Sequence, residues 1–141
     1  MKKISIIILI SLFLLSGCKN KLKELPENPI VFSTGELNIA GEDTGYKSVI
    51  NNDKVYIMYG GIKPKGLFRD NSYAYGECLG YINNDKNDRI YELKDADSNE
   101  WLIEYAVNGM MEVPIVLREI TTKDDNKIPE SVESFDYDYW R

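Results

Sequence analysis

The chain carries two thiols and no imidazole, which limits the chemistry that its side chains can perform. The absence of histidine excludes Ser-His-Asp and Cys-His catalysis and the usual histidine-containing zinc sites. Cys78 lies in the apolar run Cys78-Leu79-Gly80-Tyr81-Ile82. The run predicts a small buried hydrophobic residue at this position. A reactive or intermolecular thiol is the alternative, although no basic neighbour in the sequence would lower its pKa.

Four acidic side chains suggest calcium by their type but not by their spacing. They are Asp85, Asp88, Asp95 and Asp97. Counted from Asp85, an EF-hand loop needs an oxygen ligand, a turn glycine and a bidentate glutamate at its fifth, sixth and twelfth places. Those places hold Arg89, Ile90 and Ala96. We therefore expect solvated loop acids, no metal and no cofactor.

The remaining acids could in principle supply a pair of catalytic carboxylates. Glu100, Glu104 and Glu112 accompany the aspartates in the second half of the chain. Glycoside hydrolysis requires two such groups in a cleft at defined separations. Acids are so abundant here that no pair stands out, so we expect no catalytic residues and rank a hydrolase last among the functions.

The amino terminus combines a positive start with an apolar run that ends at a cysteine. Lys2 and Lys3 precede residues 4–15, which are almost all apolar. This run is shorter than the roughly 20 residues of a membrane-spanning helix and fits a secretory signal peptide. It ends in Leu15-Ser16-Gly17-Cys18, which resembles the lipobox of bacterial lipoprotein precursors. The resemblance implies cleavage before Cys18 and lipid on its thiol; a chance cysteine or an uncleaved anchor is the alternative.

Cleavage before Cys18 would divide the chain into a signal peptide, residues 1–17, and a membrane-proximal linker, residues 18–29. Three lysines of the linker would either contact anionic headgroups or be solvated: Lys19, Lys21 and Lys23. The remaining chain has fifteen basic and twenty-three acidic residues, a net charge of −8. Such a chain is unsuited to nucleic acid and permits a basic protein as partner. Its Ile, Lys and Asn content favours a Gram-positive host.

Between residues 30 and 120, strand-forming segments alternate with turn residues. Residues 46–50 and 55–59 flank one polar turn, and residues 77–82 and 89–94 flank another. Asparagine and aspartate tolerate the left-handed backbone of tight turns, so both segments are predicted hairpins. Other strands are expected at residues 30–32, 36–40, 101–107 and 113–120. The predicted fold is mainly β, a small barrel or sandwich of about six to eight strands.

Short motifs between residues 67 and 120 follow an order known from one family of small barrels. They are Leu67-Phe68-Arg69, Leu79-Gly80-Tyr81-Ile82, Arg89-Ile90-Tyr91-Glu92-Leu93 and a polar turn before Trp101. Their order resembles that of a bacterial SH3-like domain, in which the first motif would be the opening strand. The family's closing Gly-Trp/Tyr-Val strand is absent. The resemblance implies a barrel and transfers no ligand-binding residue.

Aromatic side chains with polar groups are the candidates for ligand contacts. Tyr73 and Tyr75 are expected in a loop, and Trp140 lies in an acidic-aromatic tail, residues 121–141. Trp101 is expected in the core, because large aromatics dominate small β cores. The spacing within residues 129–135 predicts a short helical turn.

The large apolar content of the tail predicts that it docks on the β domain through Phe135 or Trp140. The alternative is a disordered tail that folds only on a partner.

Two functional hypotheses from different classes follow. The first is a lipid-anchored, extracytoplasmic, non-catalytic binding module for an envelope component, such as cell-wall material, or a protein. The second is an inhibitor or immunity lipoprotein that neutralises a basic toxin or lytic enzyme, a role that electrostatic steering by an acidic domain would suit.

Overall fold

The computed structural model describes residues 22–43, 45–111 and 113–141, which contain eight β-strands. The strands are β1 (Ile30–Leu37), β2 (Tyr46–Asn51), β3 (Lys54–Ile62), β4 (Tyr75–Ile82), β5 (Asp85–Leu93), β6 (Trp101–Ala106), β7 (Ile115–Glu119) and β8 (Val132–Ser134). Their hydrogen-bonded order is β2-β1-β4-β5-β6-β7-β3-β8, and β2 also pairs with β3. Seven strands therefore close into a barrel, and β8 pairs with the end of β3. The prediction of a mainly β fold and a small barrel is confirmed.

Both predicted hairpins form at the asparagine turns. Asn52 and Asn83 have φ values of 55° and 52°, in the left-handed region that asparagine tolerates. The first turn joins β2 to β3 with Asn51 opposite Lys54, and the second joins β4 to β5 with Ile82 opposite Asp85. The local turn chemistry thus fixes two of the strand pairs.

The pairing of β1 with β4 closes the barrel. It is the one parallel strand pair among the described residues. Gly80 lies opposite Ile30 in this pair, and a β-carbon at Gly80 would be 1.8 Å from the carbonyl oxygen of Ile30. Only glycine permits this approach of the two backbones.

The interior of the barrel receives one buried side chain from each of its seven strands. These are Phe32, Val49, Tyr56, Ile82, Ile90, Leu102 and Leu117. Because side chains alternate between the two faces of a strand, the residues two positions away also face inward. That periodicity places several charged groups at one end of the interior.

A second apolar layer lies on the outer face of β3, β5, β6 and β7. It contains Tyr59, Tyr91, Trp101 and Ile103, and Cys78 of β4 belongs to it. Trp101 is 2% exposed and Cys78 is buried with a free thiol, so both core predictions are confirmed.

The carboxyl-terminal segment covers this second layer. Val132 of β8 is buried there, and β8 pairs with Gly60–Ile62 of β3. Trp140 packs against the layer and donates a hydrogen bond from Nε1 to the carbonyl oxygen of Met58 at 2.8 Å. The tail therefore docks as predicted, with Trp140 and not Phe135 as the anchor. Phe135 is 45% exposed.

Several details of the predicted secondary structure are wrong. Residues 129–135 form no helical turn, since Val132–Ser134 is a strand; the helical turn lies at Asp138–Trp140. The expected strands within residues 30–40 are one strand that ends at Leu37. Leu67-Phe68-Arg69 forms a tight turn instead of an opening strand, because Gly66 and Arg69 adopt positive φ values.

The amino-terminal part of the described chain lies along the barrel surface. Leu22 and Leu25, in the predicted linker, pack against the outer layer, and Lys23 pairs with Glu77 at 3.5 Å. The helices within residues 22–43, 45–111 and 113–141 are too short to cross a bilayer. Residues 1–17 and Cys18 lie outside the described residues, and the predictions made for them stay predictions.

Candidate functional site

Tyr73 is one of two predicted ligand contacts that border a surface cleft; the other is Tyr75. Tyr73 belongs to the 3-10 turn Ser72–Ala74 and stands between two surface clefts of about 430 and 220 Å³. Its hydroxyl donates to the carbonyl oxygen of Lys63 at 2.8 Å, and Lys65 Nζ lies 4.1 Å from its ring centroid. The ring is thus fixed from both sides and serves as a wall of each cleft.

Tyr75 is the first residue of β4, not part of a loop as expected, and it lines the smaller cleft together with Tyr73. The Tyr75 ring meets those of Tyr91 and Tyr105 edge-on, at centroid distances of 5.1 and 6.1 Å. Burial is the main cause that raises the pKa of Tyr75. Trp140 meets Tyr59 edge-on at 5.5 Å. The structure therefore brings Tyr73 and Tyr75 together at the smaller cleft and places Trp140 apart from them, against Tyr59.

Arg118 is a buried charged residue whose role the sequence pattern does not reveal. Its guanidinium lies 5.0 to 5.5 Å from the rings of Tyr59, Trp101 and Trp140. It also donates hydrogen bonds to Thr122 and to the carbonyl oxygen of Asp125. Aromatic faces and carbonyl acceptors together stabilise a buried cation, so the charge of Arg118 needs no carboxylate partner. Arg118 therefore joins β7 to the segment after it and to the docked tail.

Asp88 and Glu104 form a carboxyl pair at one end of the barrel interior. Asp88 precedes the inward-facing Ile90 by two positions, and Glu104 follows the inward-facing Leu102 by two positions. Glu104 is 3% exposed and accepts a hydrogen bond from Lys47 Nζ at 3.0 Å. The pair was not distinguishable from the many other acids in the sequence.

The environment of Asp88 favours its protonated form. Its Oδ1 is buried without a hydrogen-bond partner among the described residues. Burial, followed by the charge of Glu104, raises the pKa of Asp88 from 3.8 to about 6. A protonated Asp88 can donate to Glu104, which would relieve the repulsion of the two carboxylates. The described residues contain no group of acids and cysteines arranged to hold a metal ion.

A groove with exposed apolar walls lies beside the end of β3. It has a volume of about 340 Å³, and its walls include Pro64, Arg69, Val113, Glu133 and Phe135. Val113 and Phe135 are 59% and 45% exposed. The Phe135 ring lies against Gly61, where a β-carbon would be 3.0 Å from Cζ. Glycine at this position thus lets the ring form the wall of the groove.

Burial also determines the reactivity of the Cys78 thiol. Its side chain is 4% exposed, and desolvation is the main cause that raises its pKa. A raised pKa and lack of access both oppose thiolate chemistry. The thiol therefore acts as a core group.

Comparison with known proteins returned no family model, no curated protein and no solved structure that matches the chain.

Proposed function

We propose that the protein is a lipid-anchored extracytoplasmic lipoprotein whose barrel is a non-catalytic binding module for an envelope component or a protein. Cys18 would carry the lipid, as the resemblance of Leu15-Ser16-Gly17-Cys18 to a lipobox implies. Its Ile-, Lys- and Asn-rich composition favours a Gram-positive cell surface. The support for binding comes from the groove beside β3.

The groove combines the features of a protein-binding surface. Val113 and Phe135 present apolar surface that the described residues leave partly exposed, while Arg69 and Glu133 supply opposite charges in the same groove. Aromatic and arginine side chains carry much of the binding energy in protein interfaces. The backbone N–H of Phe135 donates to the carbonyl oxygen of Tyr59 at 3.1 Å, and one side of its ring lies against Gly61. These contacts restrain the ring, and a restrained ring loses less conformational freedom on binding than a free one.

One observation favours a basic protein as the partner. Such a partner would suit the second candidate function, that of an inhibitor or immunity lipoprotein. Exposed Glu133, Asp136 and Asp138 alternate with the exposed rings of Phe135 and Tyr137. These rings lie 6.2 Å apart. Acidic groups around apolar anchors would attract and orient a basic surface.

The binding proposal is tested with Phe135→Ser. Retention of purified cell-wall material and of envelope proteins by the wild-type chain is compared with retention by this variant. We expect the variant to lose about thirtyfold in affinity, the effect of removing one strong interface contact. Met110→Ser is the matched control, because Met110 is 85% exposed on the β6–β7 turn.

Equal retention by the wild-type and Phe135→Ser chains would contradict the assignment of the groove. Inhibition of a basic lytic enzyme by the wild-type chain, lost in Phe135→Ser, would favour the second candidate over a cell-wall ligand. Thermal unfolding of both variants verifies that neither change affects the fold.

A further inference from the structure

The most exposed apolar side chains of the described chain lie together at the tip of one tight turn. Leu67 and Phe68 are 97% and 96% exposed. Lys65 and Asp70 close the turn with two backbone hydrogen bonds of 2.7 and 2.9 Å, and the Arg69 N–H donates to Gly66 O at 3.2 Å. The backbone of the turn is thus held in place, and it presents both side chains to the surroundings. We call residues 65–70 the apolar tip.

Three basic groups lie in this tip or directly before it, and Glu130 and Glu133 line the clefts that they border. Lys63, Lys65 and Arg69 are exposed, and Asp70 is the one acid within residues 63–71. Lys63 Nζ donates to a backbone carbonyl, and Lys65 lies over the Tyr73 ring. None of the three cations pairs with a carboxylate of the described residues. Their charges remain available to an anionic surface.

The amino-terminal segment approaches the same side of the molecule. Leu22 and Lys23 line one cleft together with Ser72 and Tyr73, directly after the tip. Cys18 precedes Leu22 by four residues, a span of at most about 14 Å in an extended chain. A lipid on Cys18 would therefore hold this side of the barrel close to the bilayer.

We propose that the apolar tip contacts the anionic membrane to which the protein is anchored. Leu67 and Phe68 enter the interface between headgroups and acyl chains, while Lys63, Lys65 and Arg69 meet lipid phosphates. This inference rests on the proposed lipid anchor at Cys18. Two apolar side chains bind a bilayer weakly by themselves, and a tethered acyl group makes such a contact persistent. The contact would fix the orientation of the barrel on the membrane.

The test uses the full lipidated chain, reconstituted in vesicles of phosphatidylcholine and phosphatidylglycerol. An environment-sensitive fluorophore is attached at Phe68→Cys, since Cys78 is buried and Cys18 would be blocked by lipid. Quenchers carried on the lipid acyl chains report penetration. Met110→Cys is the control, because Met110 is also exposed but lies on the β6–β7 turn. We expect strong quenching at position 68 and weak quenching at position 110.

A second pair of variants tests the electrostatic part. In the unlipidated chain that begins at residue 18 and carries Cys18→Ser, Lys65→Gln and Arg69→Gln should each lower partitioning onto anionic vesicles by about fivefold. In neutral vesicles they should have no effect. Equal partitioning of the variants and the parent chain onto anionic vesicles would overturn the role of the cations.

The two proposals fail in different ways. Absence of fatty acid on Cys18 would overturn the anchor, whatever the fluorophore reports. A lipidated chain with no quenching at position 68 would overturn the membrane contact and leave the anchor intact. A blue-shifted fluorophore that lipid quenchers do not reach would mean that a protein surface covers the tip, and this result also overturns the membrane contact.

Discussion

Replacement of Asp88 by asparagine tests the account of the carboxyl pair in the barrel. Asp88 Oδ1 is buried without a hydrogen-bond partner among the described residues, and the nearly buried Glu104 lies close by. An asparagine has almost the same shape, carries no charge and can donate a hydrogen bond to Glu104. We therefore expect Asp88→Asn to stabilise the protein at neutral pH.

The size of the effect follows from the pKa of Asp88, which burial and Glu104 raise from 3.8 to about 6. Each unit corresponds to about 1.4 kcal/mol, and solvent screening at this partly exposed residue reduces the total to about 1–2 kcal/mol. The folded chain binds this proton more tightly than the unfolded chain. The stabilisation that this proton contributes to the folded chain is complete below a pH of about 4 and is lost as the pH rises through about 6.

The assay is urea unfolding of wild type and Asp88→Asn between pH 4 and pH 7. The variant should exceed the wild type by about 1–2 kcal/mol at pH 7, and the two should converge near pH 4. Asp53→Asn, at the exposed β2–β3 turn, is the control and should differ from wild type by less than about 0.5 kcal/mol. A variant less stable than wild type at pH 7, or a difference independent of pH, would refute the reasoning.

Three further predictions concern the core, the tail and the anchor. Trp101→Ala should lower the free energy of unfolding by about 3–5 kcal/mol, as expected for a buried large aromatic; a thermal midpoint within a degree or two of wild type would contradict this. Truncation after Lys127 should cost about 3–6 kcal/mol in urea unfolding, because Val132 and Trp140 lose their burial; unchanged stability would mean that the tail does not dock. Cys18→Ala should abolish incorporation of radiolabelled fatty acid, and undiminished label would exclude the lipobox interpretation.

The local features of the fold could be predicted from the sequence. Asn52 and Asn83 mark the two hairpins, because asparagine accepts the left-handed backbone that a tight turn demands. Alternating apolar residues and short strands indicated a small barrel or sandwich. The absence of histidine removed whole classes of catalysis. The strand at Val132–Ser134 was missed, because its three residues are too few to display a period of two.

The tertiary structure alone decided how these pieces close and which surfaces remain open. The parallel pairing of Ile30 with Gly80 joins distant parts of the chain, and no local signal specifies it. Asp88 and Glu104 become a pair only because β5 and β6 turn the same face inward at one end of the barrel. Trp140, and not Phe135, became the anchor because Arg118 and the carbonyl of Met58 lie within its reach. Turn and strand preferences act over a few residues, whereas closure, burial and electrostatic pairing depend on surfaces that meet only after the chain has folded.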